Sequence, residues 1–369
     1  MTVGIVGAGQ LGRMMALAGY PLGLDFLFLD RSADTPAARL APALVGEFTD
    51  PALLGTLAQR CDVISFDWEN ISVEALRSAA RGRRVRIAPP LRALAAAQDR
   101  LAEKRLFERL GIPTTRYMAV DSYAALVRAV TRIGLPGVLK TRRMGYDGKG
   151  QAVLRTPADI GRAWEALGTA PLIYEEFVPF DAEVSAIGVR STRGETAFYG
   201  LCRNHHVDGI LRLTLAPHGQ PALERRARTY LRRILEAFGY TGVLTVEFFV
   251  RHGRLIANEM APRVHNSGHW TIEGTVASQF ENHLRAILGL PLGSTRSTGH
   301  AAMINLIGAV PPARKLLASP ELHLHDYGKA PRPGRKVGHC TIVCPGRSDR
   351  DRRARRLLRQ LYPRLAVNP

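Results

Sequence analysis

Val243-Leu244-Thr245-Val246-Glu247-Phe248-Phe249-Val250, then Arg251-His252-Gly253, then Arg254-Leu255-Ile256-Ala257-Asn258-Glu259-Met260: two apolar, β-branched runs flank a glycine-containing break, the pattern of a hairpin. With His252-Gly253-Arg254 as the loop, Arg251 faces Leu255 and Glu247 falls opposite Glu259. Two carboxylates so placed, among Leu244, Val246, Phe248 and Ile256, repel one another and need a counter-ion. A divalent cation held through carboxylates and nucleotide phosphates meets that need, with Glu247 and Glu259 as its ligands. A neighbouring arginine would meet it equally well, and the residues alone leave both open.

Polar segments lie on either side of this hairpin. Directly after it, Pro262-Arg263-Val264-His265-Asn266-Ser267-Gly268-His269 has the residue types of an anion-handling catalytic loop: Arg263 to hold an oxyanion with two hydrogen bonds, His265 to move a proton. Before it, Asn204, His206 and an Asp208-Gly209 turn precede Ile210-Leu211, a grouping that a plain surface loop would also explain. Further upstream, Lys140 ends a strand just before Gly145-Tyr146-Asp147-Gly148-Lys149-Gly150-Gln151, whose glycine backbone can wrap phosphate oxygens while Lys149 adds charge. It lacks the Walker spacing, and a hairpin turn at Asp147-Gly148 is the simpler alternative. Leu172–Val178 reads as a strand running into an apolar linker, with Glu183 beyond it. Such a linker can read an adenine edge through its backbone, and a carboxylate can accept both ribose hydroxyls.

The first hundred residues have the βαβ rhythm of a parallel sheet: strands at Val3–Val6, Phe26–Leu29 and Val63–Phe66, helices through Met14–Ala18 and at Pro51–Arg60 and Val73–Ala80, then a long helix over Leu91–Leu110. Gly7-Ala8-Gly9-Gln10-Leu11-Gly12 between strand and helix, with Asp30 closing the next strand, suits a dinucleotide, although any tight turn of this kind selects glycine. The middle region reads as α+β, with further strands at Gly137–Lys140 and Ala182–Val189 and helices at Glu224–Phe238 and Val276–Leu288. The remainder has Gly and Pro breaks, a basic Gly334-Arg335-Lys336 turn and a final arginine-rich helix. The expected division is residues 1–98, 99–290 and 291–369.

Of 369 residues, 46% are hydrophobic and 22% charged, as in an ordinary globular chain. No apolar run approaches the roughly 20 residues of a membrane span, and the amino terminus reads as a strand, not a signal peptide. Four cysteines, Cys61, Cys202, Cys340 and Cys344, are too few for a disulfide framework and lack zinc spacing, so a reducing cytoplasm is expected. The net charge of +19 comes almost wholly from arginine, since only six of the 51 basic residues are lysine. Those arginines are dispersed and come with no nucleic-acid module, which favours phosphate-bearing small substrates over a nucleic-acid partner.

The ordered set GQLGRM (9–14), Phe66-Asp67-Trp68-Glu69-Asn70-Ile71, Gln98-Asp99-Arg100 with Glu103-Lys104, GYDGKGQ (145–151), EEFVPF (175–180) with Glu183, NHHVDGIL (204–211), NEMAPRVHNSGHWT (258–271) and GRKVGH (334–339) closely resembles the 5-(carboxyamino)imidazole ribonucleotide synthases. These are ATP-grasp enzymes of purine biosynthesis, and the resemblance spans nearly the whole chain. It implies a Rossmann-like, biotin-carboxylase-like α/β domain before the ATP-grasp, a central ATP-grasp fold and a small C-terminal domain. It also implies the reaction: ATP, bicarbonate and 5-aminoimidazole ribonucleotide give ADP, phosphate and the N-carboxylated product by way of carboxyphosphate. By the same resemblance, Arg100, Lys140, Gly145–Gln151, the hinge Glu175, Glu176, Phe177 and Val178, Glu183, His206, Asn258 and Glu259 bind the nucleotide. Glu247 and Glu259 hold Mg²⁺ or Mn²⁺; Arg263, His265 and Asn266 act on carboxyphosphate; and Gln10, Leu11, Glu69, Arg335 and Lys336 take the ribonucleotide. A homodimer is implied as well. Asp67 stands where the family shows Glu, and Met144 where a smaller residue is common; neither removes a needed charge. The alternatives are a formyl-phosphate or other ligase on the same scaffold and, from a different class, an NAD-dependent dehydrogenase.

Overall fold

The computed structural model describes residues 1–145 and 148–363. Its first unit is a five-stranded parallel sheet in the order Ala43–Val45, Asp25–Asp30, Thr2–Val6, Val63–Phe66 and Arg86–Ile87. Val3, Ile5, Val6, Phe28, Leu29, Ile64 and Phe66 are buried in the three inner strands, as expected where helices cover both faces. The helix Gln10–Gly19 follows the first strand through Gly7, whose φ of +98° only glycine adopts at little cost. A Cβ at Gly7 would also stand 1.7 Å from Asp67 Oδ1, so the carboxylate and the turn are built around each other.

The long helix expected over Leu91–Leu110 is two helices, Leu91–Ala97 and Arg100–Arg109. Asp99 breaks it: its extended backbone (φ −129°, ψ 108°) stops the first helix, and its carboxylate accepts from Leu101 N (3.0 Å) and Ala102 N (3.4 Å) to start the second. The helix expected from Val276 begins at Gln279, because Val276 and Ala277 N–H groups pair with Arg296 and Ser294 carbonyls while Ser278 caps Glu281 N. The helix expected from Glu224 to Phe238 runs Pro221–Ala237.

A nine-stranded sheet forms the centre, in the order Arg254–Ala261, Gly242–Arg251, Ala182–Arg190, Cys202–Val207, Ile210–Ala216, His300–Ile307, Lys336–Cys344 and Leu322–Asp326, with Thr196–Phe198 on the flank of Ala182–Arg190. The strands after residue 290 therefore extend the same sheet, through antiparallel pairing of Leu213 with Ile304 and its neighbours. A separate four-stranded sheet, Tyr117–Val120, Leu172–Glu176, Gly137–Thr141 and Gln151–Leu154, packs Val120, Leu139, Leu154 and Tyr174 against the helices Tyr123–Ile133 and Asp159–Leu167. The glycine loop connects two strands of this small sheet.

Candidate active site

A cleft of about 650 Å³ opens where the three sheets meet. Gly9–Leu11, Asp30 and Asp67–Asn70 enter it from the carboxyl ends of the parallel strands, the customary ligand position in such sheets. Arg100, Gly145 and Lys149 line a second wall, Glu247, Glu259, Arg263, His265 and Asn266 a third, and Lys329 with Arg332–Lys336 a fourth.

Glu247 and Glu259 do face each other, but by a different route from the one expected. The turn is the two-residue His252-Gly253, with Arg251 paired to Arg254 and Phe248 to Ala257, a register that alone would set Glu247 against Asn258. A β-bulge at Asn258 adds one residue and brings Glu259 opposite Glu247. The counter-charge question has a two-part answer. Arg100 Nη1 donates to Glu259 Oε2 at 2.9 Å; burial raises the Glu259 carboxyl, but Arg100, with Lys140 and His206, holds it below the ordinary carboxylate range. Glu247 keeps no such arginine, and burial pushes its carboxyl up, with Glu259 and Glu183 adding to the rise. Asn258 Oδ1 is buried without a hydrogen-bond partner. Two carboxylates plus an unpaired amide oxygen are hard donors of the kind Mg²⁺ takes when phosphates complete its shell. Among the described residues no His/Cys/Asp/Glu cage of three or more exists.

In the loop after the hairpin, Arg263 Nη2 lies 3.1 Å from Glu69 Oε1, which ties the segment after the strand Val63–Phe66 to the central sheet. His265 Nδ1 accepts from Ser267 N at 3.3 Å and lies 2.8 Å from Ser267 Oγ, which leaves the neutral ring's proton on Nε2. Burial, then the charges of Arg263 and Lys336, hold His265 well below the usual histidine range. The resting ring is thus neutral, with Nε2–H as a hydrogen-bond donor. The Asn266 amide forms a reciprocal pair with Asn305, at 3.0 and 2.8 Å, and Asn305 also donates to Leu211 O. The Asn266 side chain therefore fixes the loop against the sheet, and any contact it makes to a reactant must leave this pair in place.

The residues expected around a nucleotide divide into four groups. Lys140 and Lys104 each place Nζ 3.2 Å from Glu175 Oε2, and Thr115 Oγ1 donates to the same carboxylate. Burial raises Glu175, but Lys104, Lys140 and Arg100 together outweigh it and bring its pKa to about 2. Glu176 pairs with Arg116 at 2.9 Å, and the Glu176 and Phe177 N–H groups donate to Arg116 O and Pro136 O. Those two groups of the expected hinge are already in use, so a base edge must be read by its carbonyls and by Val178. Glu183 Oε2 lies 2.8 Å from His206 Nδ1; burial opposes a charged ring, yet this bond and Glu247 raise His206. Gly148 lies against the Asp208-Gly209 turn, since a Cβ there would meet Asp208 O and Gly209 Cα at 3.3 Å. Gly150 O accepts from Thr141 N at 2.8 Å, and Gln151 opens the returning strand. Tyr146 and Asp147 lie outside the described residues.

The amino-terminal glycine turn holds no open phosphate cradle. Ala8 N donates to Asp30 Oδ2 (2.7 Å), and Gly9 N and Gly12 N donate to Asp67 Oδ2 (2.7 and 3.2 Å). Two side chains of the same sheet thus occupy the donors that a dinucleotide pyrophosphate would require, and the dehydrogenase alternative loses its site. Gln10 and Leu11 instead border the cleft, with Lys329 Nζ donating to Gln10 Oε1.

Three family models divide the chain: a ribonucleotide synthetase preATP-grasp domain over residues 1–98, an ATP-grasp domain over 105–280 and a phosphoribosylaminoimidazole carboxylase C-terminal domain over 301–353. The N5-carboxyaminoimidazole ribonucleotide synthase of Pseudomonas aeruginosa is 51% identical over 348 residues, 94% of this chain and 96% of that one. The chain belongs to the N5-carboxyaminoimidazole ribonucleotide synthase family. A crystal structure of the Thermus thermophilus synthetase matches with a TM-score of 0.93 at 50% identity, covering 99% of each chain. One of the Aspergillus clavatus synthase, in complex with ADP and 5-aminoimidazole ribonucleotide, matches with a TM-score of 0.91 at 31% identity, again over 99% of each. Within this family frame, sequence reasoning had given no role to Glu103, Lys104, Asn305 or Lys329. A signal for the first two existed: Arg100, Glu103, Lys104 and Phe107 fall on one helical face, and charges on a stripe that ends in Phe107 point to buried partners.

Proposed function

We propose that this chain is an ATP-dependent ligase that carboxylates 5-aminoimidazole ribonucleotide with bicarbonate, giving 5-(carboxyamino)imidazole ribonucleotide, ADP and phosphate in purine biosynthesis. The observation that carries this reading is the facing of Glu247 and Glu259 in the cleft that also holds Arg263, His265 and the basic Arg332–Lys336 turn. Bicarbonate is a poor electrophile, so an oxygen of bicarbonate first attacks the γ-phosphorus and ADP leaves. The resulting carboxyphosphate divides into CO₂ and phosphate, and the exocyclic amine then adds to CO₂ and gives up a proton to phosphate.

Each assignment follows from the chemistry of the side chain in its place. Arg100, Lys140 and the Gly145–Gln151 loop, with Lys149, face the phosphates; Glu175–Val178 borders the base; Glu183, with His206 behind it, takes the ribose. Mg²⁺ or Mn²⁺ bound by Glu247 and Glu259, with Asn258 beside them, would neutralise the γ-phosphate's charge. Arg263 holds the carboxyphosphate oxyanion, His265 donates from Nε2, and Asn266 keeps both in register. Gln10, Leu11, Glu69, Arg335 and Lys336 receive the ribonucleotide, the last two at its 5′-phosphate. A closed cleft protects carboxyphosphate from water. The division 1–98, 99–290 and 291–369, a homodimer and a cytoplasmic location belong to the same reading; no helix among the described residues is long and apolar enough to cross a membrane.

The test is ADP release with ATP, bicarbonate, the ribonucleotide and Mg²⁺, each omitted in turn. Release that needs all four, with one N-carboxylated product per ADP, is expected. Release that depends on formate, or that ignores the ribonucleotide, would overturn the assignment.

A further inference from the structure

The acid pair depends on an extra residue in one strand, and something must hold that residue there. The strand Arg254–Ala261 is the edge of the nine-stranded sheet, so beyond it no strand satisfies its outer backbone groups. The helix Arg100–Arg109 lies along that edge and contributes two buried ionisable residues, Glu103 (1% exposed) and Lys104 (fully buried). Lys104 Nζ donates to Asn258 O (3.0 Å) and Ala257 O (3.3 Å), the two carbonyls at the bulge. Glu103 Oε1 accepts from Met260 N at 2.6 Å, just past it. Thr114 Oγ1 donates to Ala257 O (2.8 Å), and Ala257 N donates to Pro113 O (2.7 Å). The backbone groups around the bulge are thereby paired on the side away from Glu247.

Those bonds matter because the turn favours the other register. From Arg251↔Arg254 through Phe248↔Ala257 the ladder is regular, and continued regularly it would put Asn258 opposite Glu247. A one-residue slip turns every later side chain to the opposite face, so Glu259 would leave the cleft. The slip would also relieve the repulsion between the two carboxylates, which gives the unclamped strand a reason to take it. Bare carbonyls buried at a bulge are unfavourable, and an ammonium donor pointed at both of them offsets that cost.

We propose that Lys104 and Glu103 are positioning residues that clamp the bulge at Asn258 and so keep Glu259 facing Glu247, the geometry that binds the divalent cation. The inference rests on the function proposed above. Its test uses the full chain with ADP and Mn²⁺ as probes: ADP affinity in EDTA, Mn²⁺ affinity of the ADP-saturated protein by paramagnetic resonance, and the ligand-free melting temperature. Lys104→Met should weaken Mn²⁺ binding by about tenfold or more, in the range seen when groups supporting metal ligands are removed, and, because Lys104 also pairs with Glu175 in the nucleotide site, ADP binding in EDTA by a clearly smaller factor. Lys104→Arg, which retains a cationic donor, should recover part of the loss. Thr114→Val removes only one bond to Ala257 O from a half-buried position; it keeps the fold safe and should lower Mn²⁺ affinity in the same sense by about two- to fivefold. Unchanged Mn²⁺ affinity in both variants, or a loss matched by that of ADP in EDTA, would overturn the clamp. If Lys104→Met does not fold, Thr114→Val alone decides. Failure of the wild-type chain to bind Mn²⁺ with ADP would remove the metal assignment as well, whereas wild-type binding with unaffected variants removes the clamp only.

Discussion

Glu259 has one carboxylate oxygen on Arg100 and faces Glu247 across the hairpin, so a single side chain serves an ion pair and, in the proposed function, a cation site together. Replacing it by glutamine keeps the shape and removes the charge. Glu259→Gln is expected to lower Mg²⁺-dependent ADP release by about 100-fold or more, the scale of losing one preorganised charge at a phosphoryl-transfer site. Its melting temperature should stay within a few degrees, because lost repulsion with Glu247 offsets the lost partner of Arg100. Glu103 gives a pH dependence. Burial, then Glu259, raises its pKa to about 8, while an unfolded glutamate titrates near 4.5. The folded chain therefore holds a proton there that the unfolded chain lacks, and stability falls as pH rises toward 8. Between pH 6.5 and 8 the ligand-free protein should lose about 1.5 kcal/mol, the integral of a site that goes from nearly full to half occupancy over that interval. Glu247, also raised by burial, titrates in the same direction. Urea unfolding at the two pH values checks this; a flat or rising stability would contradict it, and Glu103→Gln should flatten the slope.

The helix Arg100–Arg109 starts where it does because Asp99 accepts two of its first N–H groups and is gripped by Arg142 through Nε (3.0 Å) and Nη2 (2.6 Å). Arg100 N in turn donates to Arg142 O at 3.0 Å, so the cap and the small sheet together set the height at which Arg100 enters the cleft. Asp99→Ala removes the cap and one partner of a charge-assisted pair. It should cost about 2–3 kcal/mol in urea unfolding and raise the nucleotide KM by more than the ribonucleotide KM. Equal effects on both substrates would detach the cap from the positioning of Arg100. The hairpin shows the same dependence of an element on its neighbours: its strands form from their own pattern, but its register past Ala257 answers to Lys104 and Glu103 from another helix.

Across the whole chain, the net charge of +19 surrounds a cleft whose reactants are all anions. Raising ionic strength from about 50 to 300 mM shortens the Debye length from roughly 14 to 6 Å, so the KM for the ribonucleotide should rise several-fold with kcat little changed. A KM insensitive to salt would show that local contacts alone bind it. Three of the parallel sheet's five strands with its helices, the hairpin with its two acids and the polar loop after it were legible in the chain, because periodicity, glycine placement and clusters of Arg, His and Asn are local properties. The break at Asp99 was masked by continuous apolar periodicity, and Asn305 gave no sign of pairing with Asn266 across 39 residues. The amino-acid sequence by itself determined which elements form and which chemical groups they carry. Tertiary structure alone decided that Asp30 and Asp67 close the glycine turn to a pyrophosphate, and that a bulge held by a distant lysine, not the turn, sets Glu259 against Glu247. Both outcomes depend on who occupies the backbone donors and acceptors left over by regular structure, and those partners are chosen by packing between segments far apart in the chain.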